Sequence, residues 1–433
     1  MAARLQDIPE QVRPYYHAMA DRLLWTLTDG DIAVVAEPVK KEFLSYMCAV
    51  LGMQPDSISV LSLDHHERTS WYPGHNPSLV ANLRSRISSP RPDGDWLISS
   101  YIRDRDVVAW ERGLGLSNAS SDTFADNMAE LVNTKSVFRT LARSAGFPIA
   151  DGRVVIRGDE MYDAVTELLP VTGAVIVKQD MNSGGDGNVF VTSDPDIRGD
   201  GARWSVHTAG LEKTEIRRAL SEAGLGAPPA IPAGCSPAKY IVEVFHPRSL
   251  SFYAELSVPP DAPPRLCNYG DLRMTPLWSG FEIPARRLTA DQRERLCAQA
   301  LRLAGLAQSI GYSGHFDCDV ILTPGGELIF NEFNGRAGGA THMDVLCRRL
   351  LGDDYLDQVV LHTRNSVQAP EFRKLMLSLE ENSLHFEHAR GTGIIVTQDN
   401  TARTGTIEYV SVGRSHDEAA SYERLLEEAL SCA

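Results

Sequence analysis

Asp319, Glu332, Asn334 and Arg336 fall within one segment, FDCDVILTPGGELIFNEFNGRAGG, whose pattern predicts two strands turning at Pro324-Gly325-Gly326. Side chains two apart on an extended chain share a face, so Glu332 and Asn334 point together and the hairpin brings Asp319 beside them. Two carboxylates and an amide oxygen are hard ligands of the kind that hold magnesium against nucleotide phosphates. The plainer alternative is that Glu332 and Asn334 only open a polar loop. The full pattern, Asp319-x12-Glu332-x-Asn334-x-Arg336 followed by Gly338-Gly339, argues for the metal set.

A second group lies upstream. Lys178 ends an apolar run, TGAVIVKQD, and Gly184, Gly185 and Gly187 follow within a few residues. A lysine at a strand end supplies a point charge for phosphate, and glycines let backbone N–H groups approach the same oxygens. Glycine also leaves such a loop free to close as a lid. A lysine ahead of a glycine turn is common in proteins of other functions, and the order here is not that of a Walker loop, since no Gly-Lys-Ser/Thr follows the strand.

The elements that position these residues read as follows. IAVVAEPV (32–39), SISVLSL (57–63) and DWLISSYI (95–102) are predicted strands, KKEFLSYMCAVLG (40–52) a helix and RSRISSPRPDGD (84–95) a loop, the alternation of an open α/β sheet. A helical stretch from Ser121 runs on to a helix ending at Gly146. Strands are predicted at 172–180, 238–245 and 250–258, with a helix near 211–224. After about 366 come one helix, a strand pair (391–398 and 405–413) and a final amphipathic helix, DEAASYERLLEEAL.

Lys135 at a helix start, VIVKQDMNSGGDG, the strand VEVF and the acidic hairpin together resemble, in order and spacing across about 130–350, the ATP-grasp superfamily. The resemblance implies an α/β fold class: a pre-ATP-grasp α/β domain (1–130), an ATP-grasp core of two α+β subdomains (131–365, lid about 155–240) and a small C-terminal α+β extension (366–433). It implies ATP and Mg2+, two ions, as cofactors. Lys135 and Lys178 would bind phosphate, the glycine loop would cover it, Glu243 and Phe245 would flank adenine, and Asp319, Glu332 and Asn334 would hold metal. Arg336 matches a family arginine near the reacting phosphoryl or acyl group. The whole chain looks like the actinobacterial peptide ligases typified by the ligase of pheganomycin biosynthesis, which implies an ADP-forming peptide ligase joining an unusual amino acid, as the acid, to a peptide amine. A kinase of a small acceptor and a non-catalytic ATP-binding regulator are the alternatives.

Four further residues stay open. Asp317 shares a face with Asp319, as a third acid near metal, a contact for a cationic substrate group or a solvated strand acid. Arg273, in NYGDLRM, is a candidate for balancing phosphate charge. His315 and His342 are candidate acid/base groups or ordinary polar residues. The ribose contact is expected within HPRSLS, with no residue singled out.

Composition bounds the rest. With 433 residues and 43% hydrophobic content the chain suits several folded domains. Its net charge of −15 is dispersed, so clustered cations for nucleic acid are not expected. The N-terminal segment lacks the apolar core of a secretory signal and no apolar run suits a membrane helix, which predicts a cytoplasmic protein. Seven scattered cysteines predict reduced thiols. A small carboxylate and an amine or peptide acceptor are the expected partners, with a homodimer left open.

Overall fold

The computed structural model describes residues 21–63, 74, 76–89, 94–116, 123–124, 126–156, 158–181, 185, 187–223, 225 and 239–431. The N-terminal part is built on two parallel strands, β1 (Ile32–Val35) and β2 (Ser59–Ser62), joined through the helix Lys41–Leu51. That helix buries Phe43, Met47, Cys48 and Leu51 and stops at Gly52, whose φ of 68° suits the left-handed position that ends a helix. DWLISSYI does not form the predicted strand. Residues 95–102 are irregular, Leu97 stands largely exposed, and the Tyr101 carbonyl accepts from Ala337 N–H at 2.9 Å. The segment's polar backbone is used to reach the second half of the chain rather than a neighbouring strand. The predicted loop at 84–95 also begins late, because the helix Pro77–Ile87 occupies its first four positions.

A second sheet contains β3 (Gly152–Val155), β4 (Ala174–Gln179), β5 (Val189–Thr192), β6 (Trp204–His207) and β7 (Tyr240–Val244) in the order β3-β7-β4-β5-β6. Strand periodicity sorts its side chains. Val175 and Val177 of β4 pack with Val189, Val191 and Val242 against the helices Gly158–Thr172 and Lys213–Glu222. Ala174, Ile176 and Lys178 therefore face the opposite way, and Ile176 joins Phe190 and Phe245 in a small apolar cluster.

The largest sheet has eight strands: β8 (Leu250–Val258), β9 (Arg265–Met274), β10 (Trp278–Ile283), β11 (Gly314–Leu322), β12 (Leu328–Asn334), β13 (Val360–Gln368), β14 (Gly393–Asn400) and β15 (Thr406–Gly413). Their order is β12-β11-β8-β9-β10-β13-β15-β14, with every neighbouring pair antiparallel. Helix Ala290–Ser309 buries Leu296, Ala300, Leu303 and Ala307 against the β8 end of this sheet. β9, β10 and that long helix escape the sequence pattern. Asn268, Asp271, Arg273 and two glycines interrupt the apolar alternation of the strands. The tail after 366 has the helices and strand pair expected of it, yet it is no separate sheet: β14 and β15 extend the core sheet through β13. The final helix, His416–Ser431, packs on them.

All five described cysteines are unpaired with one another, and among the described residues no helix is long and apolar enough to cross a membrane.

Candidate active site

Antiparallel register builds the site row by row. On β11 and β12, Asp319 stands opposite Glu332 and Asp317 opposite Asn334. β8 adds Tyr253 beside Asp319 and Glu255 beside Asp317. Past Glu332 the register shifts, leaving Asn331 as an extra residue between the partners of Asp319 and Val320. Such a bulge turns the strand end and re-aims its side chains. The hairpin expectation thus holds in geometry: Asp319, Glu332 and Asn334 lie together on the wall of a cavity of about 1030 Å³, which Arg336 and Lys178 also line.

The cavity lies between the two large sheets. From the five-stranded sheet come Ile176, Lys178, Glu243 and Phe245, and from the eight-stranded sheet come the acids. Lys178 Nζ donates to Glu243 Oε2 at 2.6 Å, and Arg139 Nη1 donates to Glu243 Oε1 at 2.5 Å. Burial pushes the Glu243 carboxyl up, but these two cations outweigh it and hold it below the ordinary value. Glu243 is therefore a buried counter-ion rather than a free cavity acceptor. Phe245 has its backbone N–H on Ala174 O and its carbonyl taken by Thr172 Oγ1, so it offers the cavity its ring, packed edge-on to Phe190 at 4.9 Å. That ring, Ile176 and Ile197 make an apolar slot beside the lysine, with Phe190 packed behind them.

Lys135 reaches the site through Glu332, with Nζ donating to Oε2 at 2.9 Å. Its helix, Lys135–Ser144, begins where Asp180 accepts from Ser136 N–H at 2.7 Å and from Ser136 Oγ–H at 2.9 Å. Asp180 follows β4, so the two lysines are tied to one another through the backbone at their strand and helix ends.

Charge is concentrated at the hairpin. Burial and the neighbouring Glu332 and Asp317 push Asp319 well above the usual carboxylate range, while Glu332, buried but facing Lys135 and Lys178, is brought down to about 2. Asp319 and Glu332 are close enough to share a hydrogen bond. Two paired carboxyls, with an amide two residues on, are a donor set that suits a divalent hard cation. Asn334 Nδ2 donates to Asp317 Oδ1 at 2.8 Å, and its Oδ1 accepts from Arg336 Nη2 at 2.9 Å. Arg336 also stacks over Tyr101, with its guanidinium carbon 5.9 Å from the ring centre.

Of the loop glycines, Gly185 lines the cavity with φ of 78°, where an added Cβ would lie 2.7 Å from Gly201 O and 2.9 Å from a Leu277 methyl. Only glycine fits there. The loop start is thereby seated against the β9–β10 turn on the facing sheet. Gly187 follows it, and Gly184 lies outside the described residues.

Other candidates fall elsewhere. Leu272 and Met274 line the cavity, so Arg273 between them points to the other face of β9, where it donates to Glu423 at 2.6 and 2.9 Å and to Glu282 at 3.2 Å. The expectation that Arg273 balances phosphate charge is not met: its charge is spent on carboxylates of β10 and the C-terminal helix. His315 and His342 do not line the cavity, and burial lowers both. His246, Pro247, Arg248 and Ser249 of HPRSLS do line it, with Arg248 in a left-handed conformation at φ 61°.

Glu255 was not legible in the sequence. It faces Asp317 across β8 and β11, accepts from Thr341 Oγ1, and is pushed up by burial and by Asp317. Asp317, equally buried, is raised to about 6. A Cβ on Gly338 would lie 2.6 Å from Glu255 and 2.7 Å from Asp317, so the glycine lets the chain close directly over both carboxyls.

Residues 20–116 match the family described as the Pre ATP-grasp domain, and residues 374–426 the family described as the PGM1 C-terminal domain. Among solved structures, an ADP complex of PurK, an N5-carboxyaminoimidazole ribonucleotide synthetase, aligns at TM-score 0.57 and 13% identity over 93% of this chain and 97% of its own. The chain has an ATP-grasp fold. The L-amino acid ligase of Bacillus licheniformis aligns at TM-score 0.54 and 12% identity over 93% and 98%. Biotin carboxylase of Campylobacter jejuni aligns at 0.57 and 11% over 93% and 92%. No curated protein matches the sequence. The five-stranded sheet runs from Gly152 to Val244.

Proposed function

We propose that the protein is an ADP-forming carboxylate–amine ligase that uses ATP and magnesium, and that it joins an amino acid, nonproteinogenic in the fullest form of this reading, to the amine of a peptide during natural-product biosynthesis. The observation that carries the reading is the meeting of Lys178, Asp319, Glu332, Asn334 and Arg336 on one cavity wall, with Lys135 behind Glu332. Asp319, Glu332 and Asn334 would hold the magnesium, which when bound neutralises phosphate charge. Similarity to an L-amino acid ligase supports the fold only, so the activity rests on the site.

In this reading the apolar slot at Ile176, Ile197 and Phe245 takes the nucleotide base. Lys178, held at the wall by Glu243, and Lys135, held by Glu332, are the cations for the phosphates. The substrate carboxylate attacks the γ-phosphorus in line, which breaks the bond to the β-phosphate oxygen and leaves ADP and an acyl phosphate. The amine then adds to the acyl carbon. Arg336 is placed to steady the oxyanion before phosphate leaves with the C–O electron pair. The sheet carrying the glycine loop, closed against the β9–β10 turn, keeps water from the acyl phosphate.

Glu255 and Asp317 support an amine-bearing substrate. Two buried carboxyls with raised proton affinity, beside Arg336, suit a cationic group that would restore their charge on binding.

The deciding experiment supplies a panel of amino acids with ATP and hydroxylamine in place of the natural amine. Formation of ADP and a hydroxamate is expected. A stable phosphoester without hydroxamate would make the protein a kinase, and AMP with pyrophosphate would overturn the mechanism.

A further inference from the structure

A second donor cluster lies away from the cavity, where the core sheet meets the C-terminal helix. Glu282 of β10 and His362 of β13 are cross-strand partners, and His416 opens the final helix above them. His362 Nε2 and His416 Nδ1 are 3.0 Å apart, and Glu282 Oε2 is 4.0 Å from the first and 3.8 Å from the second. None of the three lines the large cavity.

We propose that Glu282, His362 and His416 form a binding site for a divalent transition metal of the zinc class. A tetrahedral ion with bonds of about 2.0–2.1 Å separates its ligands by roughly 3.4 Å, and the three distances bracket that value. Two imidazoles and a carboxylate are a donor set that suits zinc better than magnesium. Orientation supports it as well. His362 Nδ1 lies 3.0 Å from Glu423 Oε2, a carboxylate that only accepts, so the ring gives its proton there and turns the Nε2 lone pair toward His416 and Glu282. Arg273 Nη2 also lies 3.0 Å from Nδ1, but it donates to the same Glu423 oxygen at 2.9 Å and belongs to that pair. A carboxylate behind a ligating histidine is the usual outer-shell support of such sites.

The placement assigns the ion a structural role. His362 is 2% exposed, whereas the Glu282 and His416 side chains keep 23% and 19% exposure, which leaves an entry path on one side. The ion would tie β10 and β13 to the helix that closes the C-terminal part of the sheet. Without it, the same atoms are left with one hydrogen bond between two rings.

The test uses the full-length protein, stripped with a chelator and kept in excess Mg2+ so that the acidic hairpin is occupied. Cobalt(II) is titrated as a spectroscopic probe. One equivalent giving the intense visible bands of a four-coordinate ion, displaced by Zn2+, is expected, together with a higher melting temperature in Zn2+. His416→Ala, and independently Glu282→Gln, should weaken binding by about tenfold or more, whereas Asp319→Asn should retain the bands. No stoichiometric binding by the parent, undiminished binding by both folded variants, or loss of the bands in Asp319→Asn would overturn the site. The last result would assign the cobalt to the acidic hairpin, and none of these outcomes alters the ligase reading.

Discussion

Lys178 donates to Glu243 across the β4–β7 pair, Nζ to Oε2 at 2.6 Å, and the other oxygen of Glu243 takes Arg139 at 2.5 Å. One buried carboxylate thus holds two cations, only one of which lines the cavity. The glutamate fixes where the lysine's charge stands before any phosphate arrives.

Lys178→Ala should therefore do two separable things. It should raise KM for ATP and lower kcat together, because the charge acts on bound and transferring phosphate. It should also destabilise the fold. Breaking a buried ion pair costs roughly 3–5 kcal/mol, and Arg139, still on Glu243, should keep the loss at the low end. Adding Glu243→Gln should lower stability further, because it leaves the buried Arg139 guanidinium without its carboxylate, and should restore none of the nucleotide binding. Denaturant midpoints and ATP binding measured on both variants check this; a double variant that regains ATP affinity would remove Lys178 from the phosphate site.

Asp319→Asn and Glu332→Gln should each lower turnover by more than about a hundredfold, the scale for removing an electrostatic catalytic element. Asp319→Asn should nevertheless melt higher than the parent in chelator, because it relieves the crowding with Glu332 and Asp317 that raises the Asp319 carboxyl. Adding Mg2+ and ADP should stabilise the parent more than the variant. Calorimetry with and without the nucleotide reads both effects, and near-normal turnover by a folded Glu332→Gln protein would sink the metal assignment.

Glu255→Gln should raise KM for the amine-bearing substrate several-fold while KM for ATP changes little, if Glu255 and Asp317 receive a cation. A matched rise in both constants would instead mean that Glu255 supports the fold around Thr341 and Gly338.

These residues also mark what sequence pattern can carry. Glu332 and Asn334 are two apart, so their common face follows from strand geometry alone, and the Pro-Gly-Gly turn between β11 and β12 brings Asp319 to them. Lys178 and Ile176 could be assigned to one face of β4 for the same reason. Glu255 could not be found this way: it meets Asp317 only because β8 pairs with β11 across two intervening strands and a long helix. Arg273 misled because its type suits phosphate. Which side of β9 it occupies depends on a register that the mixed polar run NYGDLRM does not reveal. DWLISSYI has strand composition, yet its backbone serves Ala337, a tertiary demand that local propensity does not carry.

The last expectation concerns Glu423 and pH. Burial pushes its carboxyl up from an ordinary value of 4.5, but the hydrogen bond from His362 and the pairing with Arg273 outweigh burial and bring it down to about 2. The folded value is the lower one, so the unfolded chain binds the proton more readily between the two. The stabilisation is therefore fully present above about pH 4.5 and is lost as pH falls through about 2. Its size, from the difference between those values, is about 3 kcal/mol. Glu423→Gln should accordingly be less stable than the parent by a constant amount from pH 5 to 8, with the gap closing as pH falls toward 2. Melting both proteins in chelator across that range reads the contribution. A gap that stays constant down to pH 2 would show that Glu423 acts through packing and not through its charge.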